Sequence, residues 1–501
     1  MKNVRVRFAP SPTGPLHLGS VRTALYNYLF AKKYKGNFIL RIEDTDQNRI
    51  INGSEKYILN TLKWARIEPN EGFNYGGNYG PYRQSERITI YNKYVKYLIE
   101  KGYAYYAFDR YEDIENIRKS MNKQGIIFSY NASIRNKLNN SLCLTSKEVI
   151  NNLNSKIPYV IRFKVPSSEI IKIYDDIHGN ISFKTDFIDD KILVKSNGIA
   201  TYHLANVIDD HLMMISNVIR GEEWLSSLPF HVLLYRAFEW EIPNFAHLPL
   251  ILNTKGNGKL SKRDADKSNF PIFPLKWKNI DGYNERGYFP EAFINMLALL
   301  GWNPGDKKEI FSLKELINKF SIEKINKSSA RFNINKAIWF NKQYLQLKSV
   351  EEISFLFKKE LKKRKIYVND NYIKLVINNI KERVSFINEI WDNSFYFFER
   401  PKNYDIKLIN NFIINIYHLN EIKNIFKHIK IFSKDYIKTI IMDYINHNNL
   451  ITKNIIQVLR LALVGNLQGI DIYLIMEIIG KIESIKRIEY ICTFLKKNEI
   501  K

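Results

Sequence analysis

Near the start of the chain, Val4, Val6 and Phe8 alternate with Arg5 and Arg7, a period-two strand pattern. Pro10, Pro12, Gly14 and Pro15 then interrupt regular structure. After Gly19, the apolar positions Val21, Ala24, Leu25, Tyr28 and Leu29 recur at helical spacing. Phe38-Ile39-Leu40-Arg41-Ile42 reads as a second strand that ends in Glu43-Asp44. Strand, loop, helix and strand make a βαβ unit, which predicts a parallel sheet. Ligands of such sheets sit beyond the carboxyl ends of the strands. The 9–19 loop and the Glu43-Asp44-Thr45-Asp46 turn both fall there. From about 102 to 197 the pattern is less regular and poor in loop glycines, as in an insertion. Motifs become dense again from 198 to 252, and the pattern is mixed and mostly helical from about 256 to 345. Beyond 346 it is helical throughout, with Ile455, Val458, Leu459, Ala462 and Leu463 on one face. There is no internal repeat.

Composition narrows the partner. The chain has 501 residues, 45% of them apolar, enough for packed cores. Roughly three to five structural units of about 100–200 residues are expected at that length. Lys and Arg number 76 against 51 Asp and Glu, a net charge of +25. That charge points to a polyanion, nucleic acid ahead of an anionic membrane. Enrichment in Lys, Asn and Ile through AT-rich coding is the competing source of the lysines. Cys143 and Cys492 are the only cysteines, which excludes a disulfide framework and a Cys-rich zinc site and fits a reducing cytoplasm. No apolar run approaches the roughly 20 residues of a membrane span. The opening Met1-Lys2-Asn3-Val4-Arg5 lacks the apolar core of a signal peptide.

Two constellations carry chemistry. In Ala9-Pro10-Ser11-Pro12-Thr13-Gly14-Pro15-Leu16-His17-Leu18-Gly19-Ser20, a rigid loop delivers a His and a Gly to a helix N-terminus. Backbone N–H groups and the helix dipole there favour phosphate, Gly19 permits close approach of a flat ring, and His17 can bond a phosphate oxygen. In Lys255-Gly256-Asn257-Gly258-Lys259-Leu260-Ser261-Lys262-Arg263, two glycines make a mobile loop carrying positive charge. Such a loop can close over a triphosphate and stabilise charge on departing pyrophosphate. Taken alone, each has a plain structural reading: a proline-stiffened turn and a solvated basic loop.

The pair, His-Leu-Gly-Ser early and Lys-Leu-Ser-Lys-Arg far downstream, resembles the signatures of class I aminoacyl-tRNA synthetases. Further motifs narrow the resemblance to bacterial-type glutamyl-tRNA synthetases. They are Arg7-Phe8-Ala9-Pro10-Ser11-Pro12-Thr13-Gly14, Arg22-Thr23-Ala24-Leu25, Arg41-Ile42-Glu43-Asp44-Thr45-Asp46 and Gly80-Pro81-Tyr82-Arg83-Gln84-Ser85-Glu86-Arg87. Thr201-Tyr202-His203-Leu204-Ala205-Asn206-Val207-Ile208-Asp209-Asp210-His211, Val218-Ile219-Arg220-Gly221-Glu222-Glu223-Trp224, Leu299-Leu300-Gly301-Trp302 and Ala330-Arg331-Phe332 continue the series. The match is strongest over 1–345 and returns weakly at Leu459-Arg460-Leu461-Ala462-Leu463-Val464-Gly465.

The resemblance implies that glutamate is activated by ATP to glutamyl-adenylate and then transferred to the terminal ribose of a tRNA. Positioning and charge neutralisation suffice for such chemistry, in keeping with a site of His, Lys and Arg. It implies glutamate contacts at Arg7, Ser11, Glu43, Tyr202, Asn206 and Arg220, with Arg220 on the side-chain carboxylate and Glu43 on the ammonium. ATP falls to His17, Gly19, Glu223, Lys259 and Lys262, with Leu252 nearby. His17, Lys259 and Lys262 are the catalytic candidates, Lys262 being the choice for pyrophosphate. Tyr82, Arg83 and Arg87 match a stretch near the substrate and the acceptor end. Mg²⁺ is implied as a companion of ATP rather than an ion in a protein cage.

One departure concerns metal. Many relatives carry Cys-x-Cys after the first domain, where this chain has Gly102-Tyr103-Ala104-Tyr105-Tyr106-Ala107-Phe108-Asp109, so no structural zinc is predicted. The expected architecture is α/β. A Rossmann-like parallel-sheet catalytic domain (1–105 and 198–255) is interrupted by an acceptor-binding insertion (106–197). A stem-contact region with the Lys-Leu-Ser-Lys-Arg loop (256–345) and an all-helical anticodon-binding region (346–501) follow. A cytoplasmic monomer is expected, with tRNA, glutamate and ATP as partners and no membrane. The rivals are a glutaminyl-tRNA synthetase, a truncated tRNA-modifying relative, a small-molecule nucleotidyltransferase and a non-catalytic tRNA-binding paralogue. The first is opposed by Arg220 and the form of the first loop, the second and third by the helical C-terminal half. Intact His17, Glu43, Lys259 and Lys262 oppose the fourth.

Overall fold

A computed structural model of the chain describes residues 3–253, 258, 260, 270–402, 404 and 416–498. Strand β1 (Arg5–Phe8) leads through the Pro/Gly loop into helix α1 (Leu18–Lys33) and strand β2 (Asn37–Leu40). The strands pair in parallel, with Arg7 beside Ile39 and Phe8 beside Leu40, as the βαβ pattern predicted. Helix α2 (Ser54–Trp64) precedes the short β3 (Glu71–Gly72), which pairs in parallel with β2, and helix α3 (Ile88–Glu100) follows.

The irregular middle stretch is richer in strands than its sequence suggests. Strand β4 (Ala104–Ala107) is followed by helices α4 (Tyr111–Lys123), α5 (Ala132–Arg135) and α6 (Ser146–Asn154). Strand β5 (Val160–Phe163) comes next, then the hairpin of β6 (Ile170–Asp175) and β7 (Gly179–Lys184), then β8 (Ile192–Val194). Strands β4, β5 and β8 make an antiparallel sheet. On β4, Tyr105 Oη donates to Asp190 Oδ2 at 2.6 Å, and Arg135 Nη1 pairs with the same oxygen at 3.0 Å.

Helix α7 (Tyr202–Leu212), β9 (Asn217–Gly221), α8 (Leu228–Ala237) and β10 (Asn244–Leu248) return the chain to the parallel layer, and β11 (Ile251–Leu252) then pairs separately with Ala330–Arg331. Strand β10 pairs in parallel with β9 on one side and β6 on the other. The hairpin therefore extends this sheet rather than the antiparallel one. Arg5 N donates to Ser216 Oγ and Ser216 N to Arg5 O, both at 2.9 Å, which seats β1 against the start of β9. Buried apolar residues of α3, α7 and α8, among them Leu98, Leu204, Val207, Ile208 and Leu234, form a core against these strands.

The alternation in β1 marks no exposed face: Arg5 and Arg7 are 6% and 4% exposed. Strands of a doubly covered parallel sheet are buried on both sides, and here both arginines meet carboxylates. Arg5 makes two bonds to Glu71, at 2.9 and 2.8 Å, and Tyr82 Oη donates to the same carboxylate at 2.8 Å.

The chain divides into two compact units, Met1–Phe340 and Asn341–Lys501. The described part of the second is helical, as expected. Its helix Thr452–Val464 buries the predicted face of Ile455, Val458, Leu459, Ala462 and Leu463. No helix among the described residues is long and apolar enough to cross a membrane.

Candidate active site

The loops leaving the carboxyl ends of β1, β2, β9 and β10 enclose a cavity of about 800 Å³, within the range of small-molecule sites. Arg7, Ser11, His17, Gly19, Glu43, Tyr202, Asn206, Arg220 and Glu223 all line it. Lys259 and Lys262 lie outside the described residues. Leu252 is not part of the lining, whereas its neighbours Ile251 and Leu260 are. Tyr82, Arg83 and Arg87 are also absent from the wall. Arg83 pairs with Glu55 at 2.8 Å, and Arg87 is drawn into a buried ionic cluster.

His17 is the N-cap of α1. Its Nδ1 accepts from Gly19 N at 3.0 Å and Ser20 N at 3.4 Å. Leu18 N donates to Ile272 O at 3.2 Å. The first-turn amides, expected to face a phosphate, are thus bonded within the protein. The imidazole nitrogen takes the place of the oxygen of a Ser or Asp cap, so the exposed ring itself is what the helix start presents to the cavity. Gly19 does admit a flat ring, and that ring is His17: a Cβ at residue 19 would stand 3.0 Å from its Cε1 and 3.1 Å from Nδ1.

Beneath the cavity three guanidiniums meet three carboxylates. Arg7 Nε and Nη2 donate to Asp210 Oδ1 and Oδ2 at 2.9 and 3.1 Å. Arg41 Nη1 donates to Asp210 Oδ1 at 2.7 Å and its Nη2 to Glu43 Oε1 at 3.0 Å. Asn206 Nδ2 donates to the same Glu43 oxygen at 3.0 Å. Arg87 Nε donates to Asp209 Oδ1 at 2.7 Å, while Gln84 and Tyr91 each donate to Oδ2 at 2.9 Å. Helix α7 organises this cluster, because Tyr202, Asn206 and Asp210 recur every four residues on one face. Burial raises the Asp210 carboxyl, but Arg7 and Arg41 outweigh it and hold the group below its ordinary value. Burial dominates at Glu43 and raises its carboxyl despite Arg41 and Arg7.

Arg220, at the end of β9, is set differently. Its Nε donates to His247 Nε2 at 3.0 Å, and Nη1 donates to Tyr202 Oη at 3.3 Å and faces His231 Nδ1 at 3.3 Å. Nη2 donates to Trp224 O at 3.3 Å. These acceptors are neutral, and among the described residues no carboxylate lies within ion-pair distance of Arg220. A buried cation without an anion at a cavity wall is a seat for an anionic ligand group. A Cβ at residue 221 would displace the Glu223 carboxylate from its present position.

Sequence reading missed Asp209, Asp210, His231, His247 and Asp175 as members of this site. A signal existed for the aspartates, since they follow Asn206 by one helical turn and three nearby arginines called for buried carboxylates. Asp175 carried none.

Comparison with known proteins identifies the family. Residues 3–339 match the catalytic domain of class I tRNA synthetases (E and Q), and residues 350–492 match an anticodon-binding domain. The chain is 50% identical over 493 residues to the glutamate–tRNA ligase of Flavobacterium psychrophilum, covering 97% of this chain and 98% of that protein. It is 47% identical over 498 residues to the glutamate–tRNA ligase of Amoebophilus asiaticus, with 97% of each covered. A crystal structure of a glutamate tRNA ligase from Elizabethkingia meningosepticum, in complex with its amino acid, is 48% identical. It superposes with a TM-score of 0.94, covering 99% of this chain and 100% of that one. By catalytic domain, helical partner domain and full-length identity, the chain belongs to the class I tRNA synthetases of the glutamate and glutamine type.

Proposed function

We propose that the chain is a glutamate–tRNA ligase acting in two steps. The α-carboxylate of glutamate attacks the α-phosphate of ATP, forming glutamyl-adenylate and releasing pyrophosphate. The terminal ribose hydroxyl of tRNA then takes the glutamyl group and AMP leaves. The observation that carries the choice of amino acid is Arg220, a buried guanidinium on the cavity wall held only by neutral acceptors. A side-chain carboxylate supplies the missing charge and a carboxamide does not.

In this reading Arg220 and Tyr202 take the side-chain carboxylate, and Glu43, braced by Asn206, takes the ammonium. Arg7 and Ser11 complete the amino-acid pocket. His17, Gly19 and Glu223 border the nucleotide, which arrives as its Mg²⁺ complex. Lys259 and Lys262 are assigned to the triphosphate on sequence grounds, with Lys262 stabilising pyrophosphate. Segment 106–197 is assigned to the acceptor end, 256–345 to the tRNA stem and 346–501 to the anticodon. A monomer in the cytoplasm completes the reading.

The test is attachment of labelled glutamate to separate transcripts of the glutamate and glutamine tRNAs, by the unaltered chain and by Arg220→Leu. Charging of the glutamate transcript is expected, with kcat/KM reduced by about 30-fold to several thousand-fold in the variant, matching loss of roughly 2–5 kcal/mol. Charging of the second transcript would define a dual-substrate enzyme. Charging of neither would refute the assignment, and an undiminished variant would refute the role of Arg220.

A further inference from the structure

The two imidazoles around Arg220 are fixed by protein alone. Strands β9, β10 and β6 lie side by side, with Arg220 in register with His247 and Phe245 in register with Asp175. His247 is two residues beyond Phe245, so Arg220, His247 and Asp175 project from one face of the sheet. Asp175 Oδ2 lies 2.7 Å from His247 Nδ1, and Asp175 Oδ1 accepts from Ile177 N and His178 N, both at 3.0 Å. Both His247 and Asp175 are fully buried.

The donor inventory settles where the protons sit. An ionised carboxylate only accepts, so His247 carries its proton on Nδ1. Its Nε2 then presents a lone pair to Arg220 Nε, which can only donate. The opposite tautomer would set N–H against N–H. His231 obeys the same logic, with Nδ1 toward Arg220 and Nε2 3.1 Å from His203 Nδ1. Burial pushes His247 and His203 down to about 4 and His231 further below its ordinary value, so the rings are neutral near pH 7. A carboxylate in the place of His247 would orient the guanidinium equally well but would neutralise it. A neutral imidazole orients it and leaves its charge for the ligand.

We propose that Asp175 and His247 are positioning residues that hold Arg220 oriented and uncompensated, and that this relay is what makes the pocket select a side-chain carboxylate over a carboxamide. The inference rests on the glutamate reading above. Asp175 fixes the tautomer, His247 supplies the acceptor, and neither enters the cavity lining.

The test compares the full-length chain with His247→Leu, His247→Gln, Asp175→Asn and Arg220→Leu. The readout is glutamate-dependent ATP–pyrophosphate exchange with the glutamate tRNA transcript present, with glutamine as competitor substrate. His247→Leu removes the acceptor and is expected to raise KM for glutamate about 30-fold or more while KM for ATP moves by less than about threefold. The preference for glutamate over glutamine should fall with it. Asp175→Asn, which lets the ring take the other tautomer, should act in the same direction. His247→Gln keeps an oxygen for Arg220 and an amide N–H for Asp175, and should recover most of the lost affinity. An unchanged glutamate KM in His247→Leu would overturn the proposal, provided Arg220→Leu is impaired. So would a parallel rise of both KM values together with a lower Tm, the mark of a merely structural role. His247→Gln as impaired as His247→Leu would overturn it as well. An unaltered chain with no glutamate-dependent exchange would instead remove the synthetase reading on which the proposal stands.

Discussion

Replacing Asp210 with Asn keeps the shape of the side chain and removes its charge. Asp210 takes three bonds from two buried guanidiniums, Arg7 at 2.9 and 3.1 Å and Arg41 at 2.7 Å. At an effective dielectric near 20, each carboxylate–guanidinium pair at about 4 Å contributes about 4 kcal/mol. The two pairs together lose about 8 kcal/mol, offset by the several kcal/mol of desolvation that a neutral amide does not incur. The expected net loss is about 3–5 kcal/mol, in line with breaking other buried pairs. For the 340-residue unit Met1–Phe340, a melting entropy of about 2.1 cal/mol/K per residue gives about 0.7 kcal/mol/K, so Tm should fall by about 4–7 °C. Thermal unfolding of the full-length chain, followed by near-ultraviolet circular dichroism, measures it. KM for glutamate should rise at the same time, because Arg7 lines the cavity and Asp210 aims it. A Tm within about 1 °C of the unaltered chain would refute the reasoning, since the ion cluster would then contribute no net stability.

Gly19→Ala drives a methyl against the His17 ring, and KM for ATP should rise about tenfold with little change in Tm; an unaltered KM for ATP would show that the ring position does not matter there. Asp190→Asn leaves the buried Arg135 without its carboxylate at a cost of about 3–5 kcal/mol, visible as faster amide exchange confined to β4, β5 and β8. His247 and His203 titrate near 4 in the folded chain, against an ordinary value of 6.5. The unfolded chain therefore binds more protons between those values, and stability is lost as pH falls through that window, by about 2 kcal/mol per ring between pH 7 and pH 5. Urea midpoints at the two pH values test this, and equal midpoints would contradict buried neutral imidazoles.

Much of the architecture was written locally. The alternation through Phe8, the Pro/Gly break after it and the helical spacing from Val21 to Leu29 each depend on neighbours a few residues apart, and they gave the βαβ start correctly. The helical face from Ile455 to Leu463 was legible for the same reason. Motif order was enough to nominate Arg7, Glu43, Asn206 and Arg220 together, and the cavity does gather them. Local pattern misled where tertiary partners override it. Arg5 and Arg7 looked like the polar half of a strand, yet each is buried against a carboxylate far along the chain. The amides opening α1 looked ready for phosphate, yet His17 and Ile272 take them. The β6–β7 hairpin looked like part of an irregular insertion, yet its first strand lies beside β10. Local pattern was enough for the element types outside the 102–197 stretch, for the loop chemistry and for the family resemblance. Which charges cancel and which is left over depended on packing between distant segments. A buried ion is neutralised only where the fold brings an opposite charge within bonding distance, and packing of helix α7 puts Asp210 on Arg7 and Arg41 while the sheet puts only neutral acceptors on Arg220.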